Sequence, residues 1–276
     1  MMKKTTLLLC LTASLSVFSG YHYTAETTMN DPANKNKNTL LVESWIEGLN
    51  AKIEFKENDN PMAKPGTYMI TNDGGKTLYL VNPEDQTYME WDMNQLLSLA
   101  GAMGGMVKIQ FDNLKTEQLE TSEGDRIHGF DTTRYKHRTS YDLNMKIMGM
   151  RRIHTVITEQ EAWVTDKLTD MALGVWLRNT PPSTGDEELD KLIKAEMSKI
   201  KGFPLRTKIK TITQQWNKKR TKMKREQTSY SDMTVKTFEK TSIDKSTFKI
   251  PEDYTRTESP LSQEGNPLKG LFNRKN

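Results

Sequence analysis

The sequence predicts a mainly β protein of the α+β class, built on an antiparallel sheet. From Thr67 to Asp92, three short runs rich in Tyr, Ile, Val, Thr and Leu are separated by Asp-Gly-Gly and by Asn-Pro-Glu-Asp. Such turn residues between short apolar runs are typical of a β-meander. Similar strand-like runs continue along the chain, and only two short stretches show a helical period. Neighbouring strands joined by tight turns favour antiparallel pairing over βαβ winding.

The chain begins with the three parts of a secretory signal peptide. Met1-Met2-Lys3-Lys4 precedes an apolar run from Leu7 to Phe18, and the sequence then turns polar. We expect cleavage after Ser19, so that residues 1–19 are the signal peptide and the mature protein is exported to the periplasm. The alternative is an uncleaved membrane anchor. The only cysteine, Cys10, lies in this leader, so the mature chain has no thiol and relies on its core for stability.

Strands are predicted before and within the meander. Tyr21–Met29 is predicted as the first strand, and Leu40–Glu47 and Lys52–Glu57 as the next two, with a polar loop over Asn30–Asn38. If Asp73-Gly74-Gly75 closes the first hairpin of the meander, its register is fixed by symmetry about that turn.

This register predicts how the side chains of the meander divide between two faces. It places Ile70 opposite Leu78 and Tyr68 opposite Leu80, with Tyr88 on the same face. The other face would carry Met69, Tyr79, Val81, Met89 and Trp91. Both sets are apolar, which predicts a sheet covered on one side, with a hollow or a second layer on the other.

The rest of the chain is predicted to hold two helices and further strands. Asp92 is a candidate N-cap for a short apolar helix that includes Leu96 and Leu97, and this helix is either a movable lid or a packing helix. A second helix follows Thr184 and Glu187, which form a capping box, and stops before Gly202. Further strands are expected over Val107–Thr121, Arg126–Ile147, Ile153–Trp163, Leu205–Trp216, Thr221–Glu239 and Ile243–Ile250. We predict a single domain over residues 20–254 and a disordered tail over residues 255–276.

The overall charge of the chain does not require a general polyanion-binding role. Of the 40 basic residues, Lys3 and Lys4 leave with the leader, so 38 face 36 acidic residues and the balance is +2. One local cluster of basic residues stands out. It can be interpreted either as a patch that binds an anionic envelope surface or as a solvated hairpin tip. Export disfavours nucleic acid as its partner. The cluster comprises Lys218, Lys219, Arg220, Lys222, Lys224 and Arg225.

No catalytic motif is present in the sequence. The four histidines, His22, His128, His137 and His154, lack the spacing of a zinc site, and the chain has no nucleophile elbow, P-loop or dinucleotide fingerprint. We expect no metal, no cofactor and no enzymatic activity. A hydrolase would require carboxylates, or a serine and a histidine, that converge in a cleft.

Four segments resemble a family of exported bacterial proteins of unknown function. They read VESWIEGLNAKIEF, DGGKTLYLVNPEDQTYMEW, EAWVTDKL and STFKIPEDY, and the resemblance covers about residues 21 to 254. The sheet of this family looks like that of the LolA/LolB-type lipoprotein carriers, with Phe248–Tyr254 as the main shared mark. The resemblance implies a curved antiparallel half-barrel, with helices across its concave face and an apolar pocket between them.

The leading hypothesis is a periplasmic, non-enzymatic protein that binds a lipid or acyl chain between sheet and helices. Methionines on or beside the sheet suit a cavity for a guest of variable shape, although they also fill ordinary cores. The alternatives are an envelope interaction protein that uses the basic hairpin, or a hydrolase. The oligomeric state is left open. The predicted pocket lining is Trp45, Tyr68, Ile70, Leu78, Leu80, Tyr88, Leu96 and Leu97.

Overall fold

Twelve strands form one open sheet in the computed structural model, which describes residues 20–32, 36–58, 64–92, 107–147, 150–168 and 187–257. One α-helix, α1, and one short 3-10 helix accompany the sheet in these ranges. The strands are β1 Gly20–Asp31, β2 Asn36–Glu47, β3 Asn50–Glu57, β4 Tyr68–Thr71, β5 Thr77–Asn82, β6 Thr87–Asp92, β7 Val107–Glu123, β8 Thr133–Ile147, β9 Met150–Thr165, β10 Phe203–Trp216, β11 Met223–Thr241 and β12 Thr255–Thr257; α1 is Glu187–Ser198 and the 3-10 helix is Lys245–Phe248.

Two antiparallel meanders meet at the centre of the sheet. The strand order is β12-β6-β5-β4-β3-β2-β1-β11-β10-β9-β8-β7, so β1 of the first meander pairs with β11 of the second. The predicted antiparallel pairing is confirmed for every neighbouring pair except β12 and β6, which run parallel over three residue pairs. β12 also corrects the predicted disordered tail, because Thr255–Thr257 belong to the sheet. Residues 258–276 lie outside the described part of the chain.

The helix α1 lies over one face of the sheet, which we call the helix face. α1 contacts β7, and burial together with the nearby Glu196 carboxylate raises the pKa of Tyr141 on β8. The strand pairings trace this face from Tyr141 through Ile209 and Met29 to Leu80. The second predicted helix is therefore confirmed, whereas the first, with Leu96 and Leu97, lies outside the described residues.

The register of the first meander hairpin was predicted wrongly by one residue. Tyr68 pairs with Val81 and Ile70 with Tyr79, which moves Leu78 and Leu80 to the helix face. The turn is longer than Asp73-Gly74-Gly75 alone, because side-chain hydrogen bonds hold five residues outside the ladder. Asp73 Oδ1 accepts from the backbone N–H groups of Lys76 and Thr77 at 2.9 and 3.0 Å, and Gly75 N–H donates to Thr71 Oγ1 at 2.9 Å.

A first core lies where the two meanders meet. Tyr23, Ile46, Leu205 and Val235 are buried there together with Ile127 of the β7–β8 connection. The sequence predicted a strand from Arg126, but residues 124–132 form a loop that folds onto the sheet, held by a 2.8 Å hydrogen bond from His128 Nε2 to the carbonyl of Val235. Positive φ angles at His128 and Gly129 make the tight turn of this loop.

A second core lies on the opposite face of β4 and β5. Tyr68, Ile70 and Val81 are buried beneath Ile243 and Phe248 of the C-terminal segment. The predicted strand over Ile243–Ile250 is wrong, because Asp244 caps the 3-10 helix by accepting from Ser246 N–H at 2.7 Å. Burial of the two aliphatic side chains, Ile70 and Val81, contributes about 1.5–3 kcal/mol each. The meander is thus covered on its second face, and the prediction that both of its faces are apolar is confirmed.

Candidate functional site

A groove of about 320 Å³ lies on the helix face in the centre of the sheet. One row of side chains crosses its floor: Asn38 on β2, Met29 on β1, Ser231 on β11 and Ile209 on β10 are paired in register. Four adjacent strands span about 14 Å, at roughly 4.8 Å per step. The volume falls at the lower end of the range of small-molecule sites. The full lining is Met29, Asn30, Asp31, Asn38, Ile209, Thr211, Ser229, Tyr230 and Ser231.

The groove combines two apolar floor residues, Met29 and Ile209, with polar groups beside them in the same row and at one end. Met29 is 42% exposed although it lies in the interior of a paired strand. Asp31 lies two residues further along β1 and accepts a hydrogen bond from Gln227 Nε2. In the other direction, half-buried Met233 and Val42 pack against the first core, so the apolar surface continues away from the polar end. The arrangement suits an amphiphile, with an apolar part along β1 and a polar group near Asp31.

The predicted pocket lining is divided between the two faces of the sheet. Trp45, Tyr68, Ile70 and Tyr88 belong to the second core or pack against it, on the face away from the groove. Leu78 and Leu80 lie on the helix face, buried at 8% and 5% exposure. Leu96 and Leu97 fall outside the described residues. The two sets do not meet in one cavity, and neither lines the groove.

Charged side chains surround Trp45 on the face away from the groove. The imidazole of His22 stacks on its indole with 5.1 Å between ring centroids, and the Lys52 ammonium lies over the same ring at 5.1 Å. The ring nitrogens of His22 are 2.6 Å from Glu239 Oε1 and 2.8 Å from Glu43 Oε1. Burial alone would lower the pKa of His22, but the hydrogen bonds to these two carboxylates outweigh it and raise the pKa. This side of Trp45 is therefore an ion-pair network.

The predicted basic cluster is divided as well. Arg220, in the β10–β11 turn, donates to the buried carboxylate of Asp142 at 2.5 Å. Asp142 also accepts from Asn113 Nδ2 at 2.6 Å and from Thr155 Oγ1 at 2.7 Å. These hydrogen bonds hold the pKa of Asp142 below its usual value, although burial opposes them. The remaining members of the cluster, Lys218, Lys219, Lys222, Lys224 and Arg225, are exposed.

Within the described ranges, no group of three or more His, Cys, Asp or Glu side chains is placed to hold a metal ion. Burial lowers the pKa of His137 and of His154, so both imidazoles are held in the neutral form more strongly than a free histidine. Of the helices that the structure describes, none has the length and the apolar composition needed to cross a membrane.

The fold and the groove define a class of protein: an open, almost wholly antiparallel sheet with a ligand-sized hollow on the face that carries its helix. The chain belongs to the DUF4412 family, a domain of unknown function whose model matches residues 18–254. The predicted membership of a family of unknown function is thus confirmed. No curated protein matches the chain.

Two solved structures are similar to the chain at low sequence identity. One is a DUF1329 family protein from Desulfovibrio piger, with 8% identity and a TM-score of 0.32, covering 85% of this chain and 91% of that chain. The other is described as an outer membrane lipoprotein-sorting protein domain from Vibrio parahaemolyticus, with 9% identity, a TM-score of 0.31 and the same coverage of both chains.

Sequence reasoning missed the residues that form the groove. Met29 and Ile209 were assigned to strands, but nothing in either strand alone shows that β1 and β10 lie on the two sides of β11. The one available signal was the pairing of the first and last long strands, because an open sheet made of two meanders needs such a junction. Asp142 falls within the strand predicted over Arg126–Ile147, and nothing in the sequence indicates that it pairs with Arg220.

Proposed function

We propose that the protein is a non-enzymatic binding protein of the bacterial envelope, which holds a lipid or acyl chain on the helix face. The observation that carries the proposal is the groove of about 320 Å³ with a half-exposed Met29 in its floor. The proposal takes the helix face as the concave side of a half-barrel. It keeps the predicted ligand class but moves the site from the meander to the junction of β2, β1, β11 and β10.

The side chains of the groove support an amphiphilic ligand. An unbranched, polarizable methionine adapts to apolar guests of different shape, and Ile209 offers a second apolar contact across the row. Ser229, Ser231 and Asn38 supply hydroxyl and amide groups that bind a polar head without a net charge. A ligand that covers Met29 and Ile209 removes apolar surface from water, and each fully buried side chain of this kind contributes about 1.5–3 kcal/mol.

The envelope location rests on the leader in the sequence. Cleavage after Ser19 leaves Gly20 as the first residue, and β1 begins at Gly20, where an added Cβ would lie 2.5 Å from Ile243 Cδ1. Signal cleavage at this position therefore preserves all of β1. Expression of the full chain in a bacterium, fractionation and N-terminal sequencing test this part: we expect a periplasmic protein that starts at Gly20, and an uncleaved chain in the membrane fraction would contradict it.

The groove itself is tested by the binding of fluorescent probes. We compare Met29→Glu with Leu119→Glu, a matched control at a leucine that is 46% exposed on β7. One probe is a fatty acid and the other an uncharged acylglycerol, so that repulsion of a carboxylate is separated from loss of the apolar floor. For Met29→Glu we expect at least about tenfold weaker binding of both probes, in line with the loss of one buried side chain.

Three outcomes would contradict this assignment. Equal binding by wild type and Met29→Glu would show that the groove is not the binding site. If the variant bound only the fatty acid more weakly, the effect would be repulsion of the carboxylate and not loss of an apolar contact. Hydrolysis of the uncharged ester probe by the wild-type protein would replace the non-enzymatic role with the hydrolase alternative.

A further inference from the structure

Two hairpin tips lie side by side at one end of the sheet. β8 ends at Ile147, which pairs with Met150 at the start of β9, and the β10–β11 turn covers residues 217–222. Trp216, the last residue of β10, pairs with Ile153, which is three residues after the start of β9. Arg220 then reaches from its turn to Asp142 on β8 and, at 3.3 Å, to Thr155 on β9. The second tip is therefore fixed against the first.

Basic side chains crowd these two tips. On the described residues from 142 to 155 and from 214 to 226 the only acidic residues are Asp142, which is bound by Arg220, and Glu226, which accepts from Gln214. Eight exposed basic residues, which we call the basic end, form no ion pair with any described residue. The basic end comprises Lys146, Arg151, Arg152, Lys218, Lys219, Lys222, Lys224 and Arg225.

An exposed methionine is present at each tip. Met150 is 57% exposed beside Arg151, and Met223 is 43% exposed between Lys222 and Lys224. Large apolar side chains at the ends of hairpins, surrounded by lysine and arginine, combine the two interactions that bind a peripheral protein to a bilayer. The apolar side chains enter the boundary between headgroups and acyl chains, and the basic ones contact anionic headgroups.

We propose that the basic end is a docking surface for an anionic phospholipid bilayer, with Met150 and Met223 inserted at its surface. The two methionines favour a bilayer over an acidic protein or a polysaccharide, because neither of those offers an acyl layer to both tips at once. The hydrogen bonds of Asp142 hold the β10–β11 tip beside β8 and β9, so that both methionines lie at the same end of the sheet. This docking goes beyond ligand binding in the groove and does not depend on it.

Flotation with lipid vesicles tests the docking surface. The vesicles contain phosphatidylcholine alone or phosphatidylcholine with 30% phosphatidylglycerol, by design. Each lysine or arginine near an anionic surface contributes about fivefold in affinity, so neutralising five of them should weaken binding to the anionic vesicles by about 3,000-fold if their contributions are additive. The tip variant replaces Lys218, Lys219, Lys222, Lys224 and Arg225 with Gln; the matched control replaces Lys76, Lys115, Lys194, Lys245 and Lys249, which are also exposed, with Gln.

A second variant separates insertion from charge attraction. Met150→Ser with Met223→Ser leaves every charge in place, and we expect about tenfold weaker binding to anionic vesicles with an unchanged dependence on salt. Circular dichroism and thermal unfolding verify that each variant is folded. The groove variant Met29→Glu should bind vesicles as wild type does, which makes failure of the docking surface distinguishable from failure of the groove.

Several results would overturn the proposal. One is failure of the wild-type protein to float with anionic vesicles at low ionic strength, and another is equal binding of the wild-type protein to both kinds of vesicle. A third is equal binding of anionic vesicles by the tip variant and by the control variant with its five substitutions elsewhere. If the double serine variant bound anionic vesicles as well as the wild type, charge attraction alone would account for docking, and the proposed insertion of the two methionines would be wrong.

Discussion

Replacement of Asp142 by Ala should cost the protein about 2–4 kcal/mol of unfolding free energy. The Asp142 side chain is 3% exposed and accepts hydrogen bonds from Asn113, Thr155 and Arg220. Removing one partner of a buried ion pair costs about 3–5 kcal/mol when the other charge stays buried. The Arg220 side chain is 43% exposed and regains water, so we expect a value towards the lower end.

The assay is urea unfolding followed by far-UV circular dichroism, with an unchanged m-value as the sign of an intact native state. Asp131→Ala is the control, since its carboxylate is 89% exposed and lies 3.6 Å from Arg126; we expect a change within about 0.5 kcal/mol. The hydrogen bonds lower the pKa of Asp142, so its contribution is present above the ordinary value of 3.8 and is lost as the pH falls through the native value. A loss below about 1 kcal/mol at neutral pH, or one equal to that of Asp131→Ala, would refute this reasoning.

Two further predictions concern a histidine and a glycine. The pKa of His22 is raised, so NMR titration should find it above 6.5, and a value below 6.5 would contradict the ion-pair geometry. The stability that His22 contributes should be fully present below pH 6.5 and should decline as the pH rises through its pKa in the native state. Gly202 has φ +123°, and an added Cβ would lie 2.4 Å from the Thr165 carbonyl oxygen, so Gly202→Ala should cost more than about 2 kcal/mol of stability in thermal unfolding. Gly129 has φ +81° with open space around it, so Gly129→Ala should cost only about 1 kcal/mol. Equal losses of stability in the two variants would contradict the close approach at Gly202.

The class of fold could be predicted from the sequence because its signals are local. Turn residues and short apolar runs identified most strands of both meanders, and the capping box of Thr184 and Glu187 predicted α1. Where a loop replaced a predicted strand, single residues were decisive. Asp244 caps a 3-10 helix in the C-terminal segment, and Gly129 allows the β7–β8 connection to turn back over the first core.

The register of the meander could not be predicted, for a physical reason. An apolar pattern selects a register only when one face is polar, since a slip by one residue then exposes the apolar set. Here both registers place apolar side chains on both faces, so the pattern does not distinguish them. The outcome depends on Thr71 and Asp73, whose side chains extend the turn. This shift of one residue places Leu78 and Leu80 on the opposite face from Tyr68 and Ile70, so the predicted pocket lining is divided between the two faces.

The groove and the basic end depend on contacts between distant parts of the chain. Met29 and Ile209 meet only because β11 lies between their strands, and Met150 approaches the β10–β11 tip only through the pairing of β9 with β10. Sequence spacing carries no information about such neighbours. The local part of the prediction, a lysine-rich hairpin tip, was visible because six basic residues fall within residues 218–225.

The most direct test of the central claim is the composition of the protein as it leaves the cell envelope. The full chain is purified gently from the periplasm, extracted with organic solvent, and the extract is analysed by mass spectrometry beside an equal extract of Met29→Glu. We predict a co-purifying lipid or acyl chain, recovered intact with the wild type and depleted at least about tenfold with the variant. Repeated extracts without any amphiphile, from a protein that also takes up no fluorescent fatty acid, would contradict the claim that this sheet holds a hydrophobic ligand.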